Sequence, residues 1–278
     1  MPAITTVITG STSGIGKVTA IELAKKGHAI YMLVRNTEKG EQVKKEIEQQ
    51  TSNKNIYVVK CDTADLQSVR KAAEELKSKL FNINILINNA GSAFLEREIT
   101  KDGFEMTFEV NHLGHFLLTT NLMPLLQKGQ ARIINVSSEA HKSAKPNFDD
   151  LNWERTPYKG FKAYGISKLY NIYFTKLLAE KYKETGIVSY SLHPGVVKTN
   201  IWDGVKGIGR LIVGLLKLFM ITSEKGAETT IYLATEPRLE QKSGLYSKKC
   251  KVAKTAPIAD DVAARNKLWE ISEKLVQQ

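Results

Sequence analysis

The sequence predicts a single-domain α/β fold in which a doubly wound parallel sheet carries helices on both faces. Short apolar runs bounded by turn residues recur along the chain, segments with helical spacing lie between them, and a glycine-rich turn follows the first run. Regular alternation of strand and helix is typical of parallel sheets with right-handed crossover connections. We therefore expect a sheet buried between two layers of helices.

These patterns also place the individual elements. The predicted strands are Thr5 to Ile8, Ala29 to Val34, Ile56 to Val59, Ile85 to Ile87, Arg132 to Val136 and Val188 to Leu192. The predicted helices are Lys17 to Lys26, Glu38 to Gln50, Leu66 to Leu80, Phe104 to Leu126, Lys162 to Tyr182 and Lys225 to Ala234. The apolar runs have the length of buried strands, and the segments between them repeat apolar residues at helical intervals.

Two stretches interrupt the alternation. Lys142 to Gly160 contains Pro146 and Pro157 among polar residues, which predicts an irregular excursion before the next helix. Asn200 to Glu224 mixes large apolar residues with Lys and Arg, and it is too short and too interrupted by Gly and charge to span a membrane. We interpret this second segment as an amphipathic lid over an apolar substrate. An interfacial membrane helix and a core or subunit contact remain alternatives.

Length and composition indicate one domain that spans residues 1–278. The 278 residues are 42% hydrophobic and 25% charged, a balance that supports one sizeable core. The formal net charge is +11, but the lysines are spread over segments with amphipathic helical spacing, where a solvated helix face is the ordinary explanation. We therefore expect no nucleic-acid partner.

The cysteines and the first residues indicate a reducing compartment. Cys61 and Cys250 are the only cysteines and form no CxxC pair, so neither a disulfide framework nor a cysteine-rich zinc site is predicted. Met1 to Ile4 lead directly into the first apolar run, without the features of a secretory signal. The expected location is cytoplasmic, and the Asn200 to Glu224 segment leaves peripheral contact with a membrane open.

The turn after the first strand has the features of a phosphate-binding loop. Thr9 to Gly16 reads TGSTSGIG, with glycines at Gly10, Gly14 and Gly16, and a predicted helix follows at once. Glycines permit positive φ and close approach of a ligand, while the N–H groups and dipole of the helix N-terminus attract a pyrophosphate. The GxxxGxG spacing differs from the commonest dinucleotide pattern, so the loop alone is moderate support for a nucleotide site.

The end of the second strand bears on the choice of cofactor. An NAD enzyme is expected to place Asp or Glu there, against the ribose hydroxyls, but this chain has Arg35. A guanidinium can grip a 2′-phosphate with two hydrogen bonds, so NADP(H) is favoured over NAD(H). A solvent-exposed loop arginine is the alternative. Lys17 adds positive charge nearby or lies on the surface of the first helix.

Along nearly its whole length the sequence resembles the short-chain dehydrogenase/reductase family, which has a Rossmann-type fold. The matching pieces occur in the family order: the Thr9 to Gly16 loop, Asp62, Asn88 to Gly91, Asn111, Ser137 and Ser138, Tyr164 to Lys168, Pro194 and Gly195, and Thr199. The resemblance implies an oxidoreductase that moves hydride between a nicotinamide cofactor and a carbonyl or alcohol.

The resemblance also implies which residues touch the cofactor. Ser11, Ser13 and Ile15 are expected at its phosphates or ribose, beside Gly10, Gly14 and Gly16. Asp62 and Thr63 are expected at the adenine, the backbone of Asn89 and Ala90, which Gly91 follows, at a ribose, and Val197 and Thr199 at the nicotinamide carboxamide. Arg35 is expected at the 2′-phosphate, and the Tyr164 and Lys168 side chains at the cofactor as well.

Tyr164, Lys168, Ser138 and Asn111 are the catalytic residues that the resemblance implies. Tyr164 and Lys168 are four positions apart and share one face of a helix. An ammonium near a phenol stabilises the phenolate, and lowering a tyrosine pKa from ~10 toward ~7 requires about 4 kcal/mol. Ser138 is expected to donate a hydrogen bond to the substrate oxygen. Asn111 is expected to hold a water that links Lys168 to solvent.

Several local stretches are similar to the retinol dehydrogenase-like branch, whose members act on aldehydes, ketones, retinoids or sterols. They are Val34 to Gly40, Val110 to Phe116, Asn147 to Asn152 and Ser167 to Leu169. The resemblance therefore implies a small lipophilic substrate, and it leaves a homodimer or homotetramer open. No metal is expected, because His112, His115, His141 and His193 recur without carboxylate or thiol partners at ligand spacing.

Two functions from other classes compete with this interpretation. In the first alternative, the chain is a nucleotide-binding regulatory or scaffold protein without catalytic activity. The presence of Ser138, Tyr164 and Lys168 argues against this alternative. In the second alternative, the chain binds lipids at a membrane surface through the basic apolar segment from Leu211 to Met220.

Overall fold

A single eight-stranded sheet organises the chain in the computed structural model, which describes residues 3–197, 221–239 and 242–277. The strands are β1 (Thr5–Thr9), β2 (Ala29–Val34), β3 (Ile56–Lys60), β4 (Ile85–Asn88), β5 (Arg132–Val136), β6 (Val188–His193), β7 (Leu245–Lys248) and β8 (Lys251–Val252). Their spatial order is β3-β2-β1-β4-β5-β6-β7-β8. Pairs from β3 to β7 are parallel, and only β8 runs antiparallel.

Helices cover both faces of this sheet, as the sequence predicts. They are α1 (Gly14–Lys25), α2 (Thr37–Thr51), α3 (Leu66–Lys79), α4 (Met106–Phe108), α5 (Gly114–Lys128), α6 (Gly160–Lys181), α7 (Ser223–Thr235) and α8 (Val262–Val276). Side chains alternate between faces along a strand, so Val7 belongs to the core cluster that includes residues of α3, α5, α6 and α8. The next residue, Ile8, belongs to the cluster that includes residues of α1, α2 and α7. The doubly wound α/β prediction is confirmed.

The strand order creates a crevice at one edge of the sheet. β1 lies between β2 and β4, and the chain builds outward from β1 first through β2 and β3, then through β4 and the later strands. Loops that leave the carboxyl ends of β1 and β4 therefore diverge to opposite faces. Such a switch point is where open parallel sheets bind their ligands.

The predicted helix from Phe104 to Leu126 is wrong in its start and in its continuity. The helix begins at Met106, because the Glu105 carboxylate accepts the N–H groups of Thr107 and Phe108, each at 2.8 Å, and so caps it there. A π-helical turn at Glu109–Leu113 then separates α4 from α5. Such turns occur frequently at functional sites.

Sequence patterns missed the last three elements, β7, β8 and α8. β7 pairs with β6 although its residues, Leu245–Lys248, lack a continuous apolar run. α8 begins after Asp261, whose side chain accepts the N–H of Ala264 at 2.9 Å. Its Trp269 packs on Phe116 of α5 with ring centroids 5.0 Å apart.

The two irregular stretches differ in how far the structure describes them. Lys142 to Gly160 is irregular as predicted, apart from the end of a short 3₁₀ helix at Glu139–Ser143, until α6 begins at Gly160. The Asn200 to Glu224 segment lies largely outside the described residues, and its interpretation as a lid remains a prediction. α7 starts at Ser223, and in the described ranges no helix is long and apolar enough to cross a membrane.

Candidate active site

The glycine-rich loop is folded tightly at the carboxyl end of β1. Gly10 has φ +67° and Gly14 has φ +54°, conformations that favour glycine. A Cβ on Gly10 would lie 2.9 Å from Ala90 Cα, and one on Gly16 would lie 2.3 Å from the Gly10 carbonyl oxygen. The loop therefore needs glycine at these positions to fold back on itself and against the chain after β4.

The loop and the start of α1 suit the phosphates of a dinucleotide. The Ser13 side chain makes no capping hydrogen bond at the N-terminus of α1, so it leaves the first helical N–H groups to other acceptors. The Ser11 hydroxyl is fully buried in the loop and has no hydrogen-bond partner among the residues that the structure describes. Buried donors without acceptors are rare in proteins, and phosphate oxygens would satisfy them here.

Arg35 is exposed at the carboxyl end of β2, and none of the described residues forms an ion pair with it. Lys17, in contrast, forms an ion pair with Glu46 of α2. The charge of Lys17 is therefore offset within the chain. Of these two cations, Arg35 is the one without an ion-pair partner among the described residues.

Asp62 and Thr63 form the turn that follows β3. The Asp62 carboxylate accepts the Ala64 N–H at 3.0 Å, and the Asp62 N–H donates to the Ser68 hydroxyl at 3.0 Å. Thr63 is buried against Gly114, where a Cβ would lie 2.5 Å from the Thr63 carbonyl oxygen. The turn is thus fixed by its own hydrogen bonds at the same edge of the sheet as the loop.

The segment after β4 is held by Thr9. Thr9 Oγ1 accepts the N–H groups of Asn89 and Ala90, each at 2.9 Å, and the Asn89 N–H also reaches the Ile87 carbonyl oxygen at 3.0 Å. The Asn89 side chain donates to the carbonyl oxygens of Thr9 at 2.8 Å and Gly10 at 3.2 Å. The N–H groups of Asn89 and Ala90 are already used in these hydrogen bonds. If the backbone of either residue contacts a ribose, it therefore does so through its carbonyl group.

Val197 lies beside the phosphate loop. It forms a parallel bridge with Ile221 and is buried. A Cβ on Gly226 of α7 would lie 2.6 Å from Val197 Cγ2 and 3.1 Å from Ile15 Cγ1, so the two side chains meet at that glycine. Thr199, the other residue expected at the carboxamide, lies outside the described residues.

Tyr164 and Lys168 lie one turn apart on α6, below the carboxyl end of β5. Lys168 Nζ is 5.4 Å from the centroid of the Tyr164 ring and donates to the Val136 carbonyl oxygen at 3.1 Å. Lys168 is 3% exposed, and this burial lowers its pKa to about 8. Burial therefore brings the pKa of the lysine close to physiological pH, where its charge responds to nearby anions.

The pKa of Tyr164 is raised in the chain alone, contrary to the lowering that its lysine neighbour suggests. Burial raises the pKa of the phenol, and the Ser138 hydroxyl acts on it as a hydrogen-bond partner in the opposite direction. Desolvation of the phenolate raises the pKa by more than the hydrogen bond with this hydroxyl lowers it. Lowering the pKa toward neutrality requires further positive charge, which an oxidised nicotinamide carries.

The two serines after β5 have different contacts. Ser137 is buried, and its hydroxyl donates to the Lys168 carbonyl oxygen at 2.7 Å, which ties β5 to α6. The Ser138 hydroxyl accepts the Ala140 N–H at 3.2 Å and also acts on the Tyr164 phenol. Of the two serines, Ser138 is the one whose hydroxyl lies with the phenol.

Asn111 lies in the π-helical turn, with its side chain fully engaged. Its Nδ2 donates to the Ser92 carbonyl oxygen and the Ser167 hydroxyl, both at 2.9 Å, and its Oδ1 accepts the Ser92 N–H at 2.9 Å. A Cβ on Gly91 would lie 2.9 Å from Asn111 Oδ1 and 3.1 Å from Lys168 Nζ. The Asn111 side chain and the Lys168 ammonium group thus approach each other over a glycine.

Sequence reasoning missed the residues that hold the site together. Thr9 fixes the chain after β4, Ser92 and Ser167 clamp the Asn111 amide, and Asn171 donates to the Val136 carbonyl oxygen at 3.1 Å beside Lys168. In the sequence these residues are recognisable merely as polar residues next to a motif. That signal does not tell which backbone group each side chain reaches.

Two comparisons with known sequences identify the family. The sequence model described as short chain dehydrogenase matches residues 5–207. The chain is 40% identical to retinol dehydrogenase 12 of Homo sapiens, over 99% of this chain and 87% of that protein. It is 39% identical to retinol dehydrogenase 13 of Homo sapiens, over 99% of this chain and 85% of that protein. The chain belongs to the short-chain dehydrogenase/reductase family of oxidoreductases, which use a nicotinamide cofactor.

Within that family the chain is retinol dehydrogenase-like, as the sequence predicts. Retinol dehydrogenase 11 of Mus musculus is a further relative, 37% identical over 98% of this chain and 86% of that protein.

Solved structures have the same fold. A putative uncharacterized protein from Mycobacterium Paratuberculosis has a TM-score of 0.80 at 31% identity, covering 100% of this chain and 96% of that one. The 3-ketoacyl-(acyl-carrier-protein) reductase from Brucella melitensis, complexed with NADH, has a TM-score of 0.68 at 23% identity, covering 87% of this chain and 95% of that one.

Proposed function

We propose that the chain is an NADP(H)-dependent oxidoreductase that transfers hydride between the nicotinamide and a lipophilic carbonyl or alcohol. The observation that carries this proposal is the group formed by Ser138, Tyr164 and Lys168 at the carboxyl end of β5. It lies at the same sheet edge as the phosphate loop, so a bound dinucleotide and these side chains would face one substrate. The names of the retinol dehydrogenase relatives support an apolar alcohol or aldehyde such as a retinoid.

The described residues provide a contact for each part of NADP(H). The loop from Gly10 to Gly16 would hold the pyrophosphate, Arg35 the 2′-phosphate, and Asp62 with Thr63 the adenine side. The carbonyl groups of Asn89 and Ala90 would face a ribose. The nicotinamide supplies or accepts the hydride when it is bound.

Proton transfer is the task of the chain itself. Its raised pKa keeps the Tyr164 phenol neutral at pH 7, the form that can donate a proton to a carbonyl oxygen. Ser138 would donate a hydrogen bond to the same oxygen, and the Lys168 ammonium would stabilise the phenolate that remains. In the direction of oxidation, the same groups would take the proton from the alcohol.

Exchange of hydride with lipophilic carbonyls tests this function. We would follow the absorbance of NADPH and NADH in the presence of aliphatic, aromatic, retinoid and steroid carbonyls. The wild-type chain should oxidise NADPH with at least one apolar member, and Ser138→Ala should lower kcat by about 100-fold. Ser143→Ala, in the same 3₁₀ helix, is the matched control and should retain activity. No turnover with any carbonyl, despite NADPH binding, would support the silent nucleotide-binding protein instead.

A further inference from the structure

His115 links the phosphate loop to the π-helical turn. It is the second residue of α5, is 2% exposed, and contacts Thr9 at the end of β1 through one ring nitrogen. Through the other nitrogen it contacts the Asn111 carbonyl oxygen. Neither the sequence motifs nor the proposed reaction gives this imidazole a role.

Hydrogen-bond counting around Thr9 fixes the tautomer of the ring. The Thr9 hydroxyl oxygen accepts two N–H groups, from Asn89 and Ala90, which fill both of its acceptor positions. Its own proton then goes to His115 Nε2 at 2.9 Å rather than to the Ile87 carbonyl oxygen at 3.4 Å, which already accepts an N–H. His115 Nε2 is therefore an acceptor.

The remaining ring proton consequently lies on Nδ1 and points at the Asn111 carbonyl oxygen, 3.3 Å away. Burial lowers the pKa of His115 to about 4, so the ring stays neutral under ordinary conditions. The charged or titratable groups that act on the ring or face it are Lys168 on α6 and the neighbouring His112, whose own pKa burial lowers to about 3. All hydrogen-bonding groups of the His115 ring are thus used in one direction, from Thr9 through the imidazole to Asn111.

We propose that His115 is a positioning residue that couples the loop-bearing end of β1 to the backbone carbonyl group of Asn111 in the π-helical turn. Its Nε2 end stabilises the arrangement of Thr9, Asn89 and Ala90 against which the dinucleotide would lie. Its Nδ1 end orients the backbone carbonyl group of Asn111, the residue expected to hold the water that links Lys168 to solvent. This inference rests on the proposed oxidoreductase function, because only that reaction gives the Asn111 carbonyl a part in proton supply.

Two amide substitutions distinguish the contact made by Nδ1 from the contact made by Nε2. An asparagine places its amide where Nδ1 lies, so His115→Asn keeps a donor to the Asn111 carbonyl oxygen but loses the contact with Thr9. A glutamine reaches the position of Nε2, so His115→Gln keeps an acceptor for the Thr9 hydroxyl but loses the donor to Asn111. The two variants have the same chemical group and differ mainly in which end of the linkage they preserve.

The measurements are the Kd for NADPH by fluorescence, and kcat as a function of pH with a carbonyl that the wild-type chain reduces. His115→Asn should weaken NADPH binding by about 5- to 20-fold and leave the pH profile of kcat in place. His115→Gln should keep Kd within about twofold, lower kcat by about 10-fold and move the apparent pKa of the kcat profile. Thr120→Ser, on the same helix, retains a hydroxyl that donates to the Phe116 carbonyl oxygen, and as the control it should match the wild-type chain in both measurements.

Equal losses in both variants with an unchanged pH profile would contradict the inference and leave His115 a packing residue. If His115→Gln does not fold, a wild-type Kd in His115→Asn alone would be sufficient to overturn it. The Kd is measured without turnover, so it does not depend on the proposed reaction. Absence of turnover in the wild-type chain would count against the proposed function and against the role of Asn111, whereas the predicted pattern of Kd values tests the Thr9 end independently.

Discussion

Arg35 is the residue to which we assign the proposed preference for NADP(H). It lies exposed where β2 ends, and Lys17, the other cation considered for this region, is paired with Glu46. Its guanidinium offers two parallel hydrogen bonds to a phosphate, and a carboxylate at the same place would repel one.

Arg35→Asp should therefore reverse the preference for the cofactor. We expect the ratio of kcat/KM for NADPH to that for NADH to fall by about 100-fold or more, since a charge-assisted contact is replaced by repulsion. Lys45→Asp, an equal charge change at an exposed site farther along α2, should leave this ratio within about twofold. An unchanged ratio in Arg35→Asp would assign cofactor selection to other residues.

Glu109 is a buried carboxyl group in the same π-helical turn as Asn111. Its carboxylate accepts a hydrogen bond from the Thr100 hydroxyl, and burial, with Asp102 nearby, raises its pKa to about 8. In the unfolded chain the same group has an ordinary pKa near 4.5. Protonated Glu109 therefore contributes stability that is complete below about pH 4.5 and is lost as the pH rises toward 8.

Glu109→Gln should remove this pH dependence, because glutamine keeps the shape and the donor of the neutral acid. We expect the Tm of the variant relative to the wild-type chain to increase by a few degrees between pH 5 and pH 8. Differential scanning calorimetry across that range measures the difference. Glu74→Gln, at an exposed site on α3, is the control. A Tm difference that stays constant with pH would argue against a raised pKa at Glu109.

At the scale of elements, the β7–β8 hairpin contains local strain. Its two loop residues, Lys249 and Cys250, have φ +51° and +56°. Two-residue hairpin turns with both φ values positive favour Asn-Gly, because other side chains are strained there. The Cys250 N–H donates to the Thr229 hydroxyl of α7 at 3.2 Å, which holds the turn against that helix.

Replacing this pair by Asn-Gly should relieve the strain. The double substitution Lys249→Asn with Cys250→Gly keeps the N–H that Thr229 accepts, and we expect it to raise the free energy of unfolding by about 1 kcal/mol, or Tm by about 2–4 °C. Lys251→Asn in β8 removes the same lysine charge without changing the turn, and it should not raise Tm. Chemical denaturation provides the measurement, and a loss of stability would show that the side chains at 249 and 250 matter more than the strain.

The elements that the sequence predicted well are those whose periodicity is decided by burial on the sheet. β2 is a continuous apolar run and β1 and β5 contain adjacent apolar residues, because both faces of the sheet are covered, so pattern alone located these strands. β7 carries Ser247 and Lys248 at the sheet margin, and its pairing with β6 is a tertiary event without a local signal. The π-helical turn could not be predicted either, because the spacing of its apolar residues is that of a continuous helix.

The residues of the candidate site also differ in whether the sequence alone reveals them. Motif residues such as Tyr164 and Lys168 could be found because their spacing on one helix is itself the signal. Thr9 and His115 could not, since their importance lies in contacts across 106 positions of sequence. The direction of the Tyr164 pKa also depends on burial, which the motif does not describe.

At the scale of the molecule, the strand order gathers distant segments at one edge. The carboxyl ends of β1, β2, β4 and β5 deliver the phosphate loop, Arg35, the segment after β4 and Ser138 to that edge, while α6 brings Tyr164 beneath it. Because the sheet is packed on both faces, these ends are held by a rigid scaffold. The proposed hydride and proton transfer would take place where this crevice brings the cofactor and the substrate together.

Tyr164→Phe tests most directly whether this crevice is a catalytic site. The substitution removes the phenol hydroxyl and keeps the ring, so NADPH should bind with a Kd within about twofold of wild type, while turnover of a reducible carbonyl falls by about 1,000-fold. Tyr57→Phe, which removes a phenol hydroxyl from β3 at the far side of the sheet, should retain full turnover. Substantial turnover by Tyr164→Phe would contradict the assignment of this tyrosine as the proton donor.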